Sequence, residues 1–409
     1  MRYFLLLFSL FFIFSCNKEV ASKIEAGTFR GVLKAKDNQN IPFVFKVIND
    51  TLIHIKNGEE TIEVTNISYK EDSIRMQIPV FEGYIKANII DKKIENGNFI
   101  NPSFNRIVPF TTINSAERFD TKNKPTVNIT GKWETVFSKQ NDKNKYLASG
   151  IFKQEGKTAT GTFITKTGDY RYLEGVVDGD SLKLSVYDGI HVFLFKAKAT
   201  DSTLNGMFYS GNHWKEPFEA KLNNDYELEI DENITYIKED YNEFYFSFPD
   251  HKGRLVESTD AEFNNKVVVA QIMGSWCPNS LDETKFLVNY LKENPNDKIK
   301  VVSLDIEIAK SRETSINNIS RLIEEVEIPY PVLLAQFGRG GSKKAVLEKF
   351  PMLNKFNAYP TLLIIDKNKK VRKIYPSFNG PATGKKFTNF KEDFNKVVNQ
   401  LVSEIEENI

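Results

Sequence analysis

The sequence predicts an α/β C-terminal domain, a central mixed sheet flanked by helices, preceded by an all-β N-terminal region. Three observations predict it. From Ala21 to about Asn224, short alternating apolar runs are broken by Asn, Asp and Gly, with no convincing amphipathic helix. From about Tyr226, strand-like and helix-like patterns alternate. The chain has 409 residues, too many for one ordinary domain, and its 41% apolar content can build cores.

The chain opens on Arg2 and an apolar run, Tyr3 to Phe14, too short to span a bilayer as a mature helix. The run ends at Ile13-Phe14-Ser15-Cys16, and polar Asn17-Lys18-Glu19 follow at once. That ending resembles a lipobox. The resemblance implies a signal peptide over 1–15, a diacylated Cys16 and a tether over 16–26. The protein is then expected in the cell envelope, held to a membrane by its lipid and facing the periplasm or the outer surface. The alternative is a plain secretory signal cleaved elsewhere.

Runs such as Phe43 to Ile48 and Thr51 to Ile55 read as strands, with tight turns at Asn49-Asp50 and Asn57-Gly58. The region also repeats itself. Asp72-Ser73-Ile74-Arg75-Met76 matches Asp180-Ser181-Leu182-Lys183-Leu184. Asn96-Gly97-Asn98-Phe99 matches Asn205-Gly206-Met207-Phe208, and Pro109-Phe110 matches Pro217-Phe218. The nearly constant offset predicts two similar β units, 27–120 and 121–225, as two small sheets or two halves of one barrel or sandwich.

The final domain is expected over 226–409. Glu243 to Phe248 and Gly253 to Val256 read as a short hairpin. Lys266 to Met273 is a continuous apolar strand of the parallel kind. A helix starts near Cys277, keeps Leu281, Phe286, Leu287, Val288 and Leu291 at helical spacing, and stops at Asn294-Pro295. Ile299 to Ile306 is a strand, Ser311 to Val326 a helix, and Tyr330 to Ala335 a short strand. Thr361 to Asp366 pairs with Lys370 to Tyr375, and Gly384 to Glu406 closes the chain as a helix.

Composition excludes some functions. A formal net charge of +1 gives no electrostatic case for nucleic acid. His54, His191, His213 and His251 are scattered, without metal-ligand spacing, so neither a zinc site nor any cofactor is expected. A Cys–His hydrolase has only His251 available in the same domain. Gly338 to Lys344 is glycine-rich and basic but does not fit phosphate-loop spacing. It reads as a flexible loop before a helix.

The informative segment is Gly274-Ser275-Trp276-Cys277-Pro278-Asn279-Ser280. If Cys16 carries lipid, Cys277 is an unpaired thiol in an oxidising compartment. At a helix start it faces unpaired backbone N–H groups and the positive end of the helix dipole. Both favour thiolate, the nucleophile of disulfide exchange, so its pKa is expected below that of a free cysteine. Pro278 suits the first helical turn. Trp276 sets an apolar ring beside the sulfur and helps form a peptide-binding surface.

These residues resemble the TlpA/ResA-type thioredoxin-like proteins, the redoxins of bacterial envelopes. The resemblance covers Lys266 to Met273, Trp276-Cys277, Glu283, Tyr359-Pro360-Thr361 and Phe378-Asn379-Gly380. Gly168 to Gly175 and Asp188 to Phe195 look like the β-rich front half of some lipoproteins of this family. The resemblance implies a thiol–disulfide oxidoreductase whose partners are protein thiols and disulfides of the envelope. It implies a cis proline at Pro360 facing the thiol, with Tyr359, Pro360 and Thr361 meeting an extended substrate. It also implies that Glu283 sits near the reactive pair and assists proton transfer; otherwise Glu283 is a first-turn carboxylate that complements the dipole, as Asp282 is.

One departure matters more than the match. Ser280 stands where the family carries its second, resolving cysteine. A serine hydroxyl forms no disulfide, though it can hydrogen-bond a Cys277 thiolate. A mixed disulfide on Cys277 is then expected to persist until an external thiol reductant resolves it. Two other readings stay open. One is a non-catalytic binding or scaffold lipoprotein with a degenerate site. The other is a one-cysteine peroxidase, for which Gly274 and Ala270 stand in place of the needed Thr and Pro.

Overall fold

The structure is a computed structural model that describes residues 22–406. The apolar leader and Cys16 lie outside the described residues. Among the described residues, no helix is long and apolar enough to cross a membrane.

In the front half, polar and apolar residues alternate so that every second side chain is buried, as along Leu52–Asn57 and Tyr84–Ile90. Nine antiparallel strands run from Gly27–Lys34 to Arg106–Ile113, and neighbours in sequence pair except Glu60–Val64 with Ile67–Lys70. The first strand also pairs with the last, curling the sheet into an open barrel around Phe43, Phe99 and Phe110. A second nine-stranded sheet runs from Gly131–Phe137 to Trp214–Leu222. Here Tyr146–Glu155 pairs with both Gly131–Phe137 and Thr158–Thr165, which closes the barrel. Trp133, Phe137, Phe163, Phe195 and Phe218 fill it. The two-residue strand Gly168–Asp169 sits on the edge of Thr158–Thr165.

The repeated residues hold equivalent places in the two sheets. Gly97 lies opposite Ala87 on one side and Phe110 on the other; Gly206 lies opposite Ala197 and Phe218 in the same way. A Cβ on Gly97 would stand 2.3 Å from the Lys86 carbonyl oxygen, and one on Gly206 would stand 2.2 Å from that of Lys196. The recurring glycine is therefore required by a close strand approach, which explains why Asn-Gly was visible as a repeat.

The last part is a five-stranded mixed sheet. Its order is Val332–Gln336, Ile299–Ile306, Val267–Met273, Thr361–Ile365, Val371–Tyr375, with the first three parallel and the last two antiparallel. Val267–Met273 is buried throughout because both faces are covered. Val267, Val269, Leu362 and Ile364 pack with residues of helices α1 (Pro278–Glu293), α2 (Arg312–Val326) and α4 (Lys385–Glu406). Val268, Ala270, Leu363 and Ile365 face the other way, with Val346 of α3 (Lys343–Lys349). Ser311 caps α2 by accepting the Thr314 N–H at 3.1 Å, and Ser342 caps α3 by accepting that of Ala345 at 3.2 Å. The helix after the glycine-rich loop is thus α3. The hairpin lies a few residues later than expected, at Ser247–Pro249 and Leu255–Glu257.

The α/β expectation needs one correction of weight. It describes the final domain alone, and the molecule as a whole is mostly β, with two barrel-like sheets ahead of it.

Candidate functional site

Strand Val267–Met273 delivers the chain to Gly274, and α1 begins at Pro278, so Cys277 is the N-cap residue, in extended conformation. Its N–H donates to the Gly274 carbonyl at 2.9 Å, and its own carbonyl accepts the Leu281 N–H at 3.0 Å. Pro278 occupies the first helical position, where no N–H is needed. The loop before the cysteine is held by the end of the neighbouring strand. Asp305 accepts the Ser275 N–H at 2.8 Å, the Ile306 carbonyl accepts Trp276 Nε1–H at 2.9 Å, and Glu307 accepts the Ser275 hydroxyl. Burial, with Glu307 beside it, raises Asp305 well above the ordinary carboxylate range; burial raises Glu307 too.

Opposite the sulfur lies the loop Ala358 to Thr361. The Tyr359–Pro360 peptide is cis. The Cys277 thiol donates to the Tyr359 carbonyl oxygen at 3.6 Å. The Thr361 hydroxyl donates to the Ala358 carbonyl at 2.8 Å. Trp276 lies edge-on to Tyr359, ring centres 5.1 Å apart, and Tyr359 OH donates to the Gly341 carbonyl at 3.0 Å. Trp276, Cys277, Ser280, Tyr359 and Pro360 therefore come together. Glu283 lies lower on α1, where its Oε2 accepts Gln271 Nε2–H at 3.0 Å, and the same amide donates to the Ser280 carbonyl at 3.4 Å. Burial pushes the Glu283 pKa up to about 8, against the hydrogen bond from Gln271. It is a neutral acid near pH 7, a state from which a proton can be given.

The expected sign of the Cys277 pKa is wrong. Burial raises it, because Cys277 as a residue is only 7% exposed and a buried thiolate loses its water. The groups that motivated the expectation are present. The Ser280 hydroxyl and the backbone N–H groups of Ser280 and Asn279 all act on the sulfur to lower the value, but they are outweighed.

The start of α1 lies under the β-rich half. Asp282 accepts two hydrogen bonds from Arg171, 2.8 Å from Nε and 2.9 Å from a terminal nitrogen. The same guanidinium reaches Asp188 at 2.8 Å and Glu60 at 2.6 Å. Asp169 accepts the Gly380 N–H at 2.7 Å and Asn279 Nδ2–H at 3.2 Å. Phe104 stands edge-on to Trp276, ring centres 6.2 Å apart. Asn357, beside the cis-proline loop, donates to the Lys166 carbonyl at 3.1 Å. Asp282 is thus engaged by Arg171 and does more than complement the dipole. Sequence reasoning missed Asp169, Arg171, Asn279 and Phe104 as parts of the site. The stretches Gly168 to Gly175 and Asp188 to Phe195 stood out, but nothing local tied them to α1. Among the described residues, no cluster of His, Cys, Asp or Glu suited to a metal is found.

No family model matches this chain, and no curated protein matches it. Solved structures it is similar to include a thiol-disulfide oxidoreductase from Bacteroides fragilis, 18% identical over 37% of this chain and 99% of that one, TM-score 0.26. A thiol:disulfide interchange protein of the thioredoxin family from Chlorobium tepidum is 17% identical over 39% of this chain and 94% of that one, TM-score 0.28. A DsbF homologue from Corynebacterium diphtheriae is 17% identical over 41% of this chain and 92% of that one, TM-score 0.29. Identity and superposition at this level carry no function across, so the chemistry must come from the site itself.

Proposed function

We propose that this is a thioredoxin-like thiol–disulfide exchange protein that acts through the single sulfur of Cys277. The observation that carries the reading is the sulfur's placement. Cys277 stands at the N-cap position of α1, the Ser280 hydroxyl and the backbone N–H groups of Ser280 and Asn279 pull its pKa down against burial, and its sulfur sits 3.6 Å from the Tyr359 carbonyl on the cis-proline loop. In the exchange, Cys277 loses its proton and the thiolate attacks one sulfur of a partner disulfide. The partner's S–S bond breaks, its other sulfur leaves as a thiolate, and Cys277 is left in a mixed disulfide. The proton that Cys277 loses passes to water and the leaving thiolate is protonated from water in turn, with Glu283, a neutral acid buried on the same helix, assisting the transfer. Ser280 cannot resolve the adduct. A second, external thiol attacks it instead, forming a new disulfide with the partner and freeing Cys277. Trp276, Pro278, Tyr359, Pro360 and Thr361 form the surface along which the partner polypeptide lies.

The test is to compare wild type with Cys277→Ala in cells whose thiols are quenched before lysis. Disulfide-linked partners on non-reducing gels, absent in the variant and released by reductant, are expected. The second reading, a binding or scaffold protein, is favoured by the burial of Cys277 and by Ser280 in the second cysteine's place. Equal capture of partners by both proteins, with no disulfide-linked species, would establish it instead.

Cys16 is proposed to carry the lipid that holds the chain in the envelope. Cys16→Ala should move the protein from the membrane fraction to the soluble one; unchanged membrane association would remove the anchor.

A further inference from the structure

We propose that the β-rich half is a gate over Cys277: the 166–171 loop and Phe104 hold the start of α1 shut, and the thiol reacts only when the front half has come off it. The inference rests on Cys277 being the reactive sulfur, and it assigns a task to the half of the chain that the exchange chemistry leaves unused.

The contacts surround the site. Arg171 grips Asp282, and Asp169 holds both Asn279 and the Gly380 N–H. Lys166 meets Asn357 beside the cis-proline loop, and Phe104 leans on Trp276. On α2, Arg321 Nε donates at 2.9 Å to the Val80 carbonyl, in the connection between strands Ser73–Gln77 and Tyr84–Ile90 of the first sheet. A disulfide must approach the thiolate with its leaving sulfur directed away, which needs open space beyond the attacked atom. At 7% exposure that space is absent.

The lock is also built in a way that permits release. Its centre is a guanidinium among carboxylates from three parts of the chain: Glu60 in the first sheet, Asp188 in the bend after strand Ser181–Tyr187 of the second, and Asp282 on α1. Arg171 itself has φ +53°, a conformation side chains seldom adopt, and its N–H is tied to Asp169 at 2.7 Å. A buried ionic contact adds little net attraction, because separating its charges lets water return to each. The contacts around the thiol are polar apart from Phe104 on Trp276, and polar contacts between domains resemble transient ones; a buried apolar cluster also runs through both halves, so opening at the thiol is local to this edge of the interface. Once Cys277 is bonded to a partner sulfur, the adduct occupies the space the closed form denies it. Adduct and closure then exclude each other, and by linkage each weakens the other equally.

The test uses the full chain and needs no disulfide substrate. The rate at which iodoacetamide alkylates Cys277, followed by mass, is compared with exchange of the Gly380 amide, whose N–H is held by Asp169. Each is expressed as slowing relative to an unstructured peptide. The gate predicts that the two factors agree within about tenfold, since one opening releases both. It also predicts that Arg171→Gln and Phe104→Ala speed both by about tenfold or more. Alkylation at the free-peptide rate while Gly380 stays protected would overturn the gate, as would exchange at Gly380 without access to the sulfur. The wild-type comparison decides the matter even if Arg171→Gln fails to fold. A working gate without trapped partners would sink the exchange reading alone, and trapped partners without a gate would sink only this inference.

Discussion

Ser280 differs from a cysteine by one atom, and how well its surroundings suit a sulfur can be measured. Its hydroxyl acts on Cys277, and its oxygen also accepts the Gly274 N–H at 3.4 Å. Ser280→Cys should let the mixed disulfide be resolved within the chain, where a neighbouring thiol acts at a very high effective concentration. Reduction of a small model disulfide should rise by about tenfold or more over wild type. A variant that stays at the wild-type rate would show that a sulfur at this place cannot reach the mixed disulfide. At this scale the sequence was informative about neighbours and blind to distance. The helix start, Trp276 and Pro278 were legible, because capping depends on adjacent residues. The Cys277 pKa is misjudged from sequence, because the burial that decides it comes from packing with distant parts of the chain, among them the Tyr359 carbonyl 82 positions downstream.

Strands and helices of the final domain were legible from periodicity. Ile299–Ile306 has the bounds its apolar run predicts, and α1 stops where Asn294-Pro295 says it must. What periodicity does not carry is closure. The runs in the two β units look alike, yet Tyr146–Glu155 pairs with Thr158–Thr165 to complete a ring, while Glu60–Val64 and Ile67–Lys70 do not pair with each other. The equivalent glycines turn that difference into an experiment. Gly97→Ala and Gly206→Ala each drive a methyl group into a facing backbone carbonyl, and each should cost roughly 1–3 kcal/mol or more by overpacking. Urea denaturation of both variants checks it. A neutral result at either position would mean that the strand approach there is not tight.

Across the molecule, buried acids set how stability depends on pH. The folded Glu283 titrates at about 8, above its ordinary 4.5, so the fold binds that proton more tightly than the unfolded chain does. Its contribution is complete below about 4.5 and is lost as pH rises through about 8. Asp169, raised from 3.8 to about 6 by burial and by Asp282, against Gly380 and Arg171, acts in the same sense at lower pH. His213 works the other way. Burial and Arg106 lower it from 6.5 to about 4, so its contribution is already present above pH 6.5. Between pH 6.5 and 8.5, unfolding free energy should therefore fall, by up to about 1.4 kcal/mol per pH unit from Glu283. Glu283→Gln should remove that share of the slope in urea titrations and leave the part due to Asp305 and Glu307, which burial also raises, and a variant whose slope equals that of wild type would refute the assignment. The position of Trp276 has one more consequence. The chain has three tryptophans; Trp133 is sealed inside the second barrel and Trp214 is out in water already. Trp276 alone is wedged between Phe104 and Tyr359 with its indole N–H on a carbonyl, so separation of the two halves would change the colour and intensity of its ultraviolet emission. The unlabelled chain carries its own optical readout of whether the sulfur is covered.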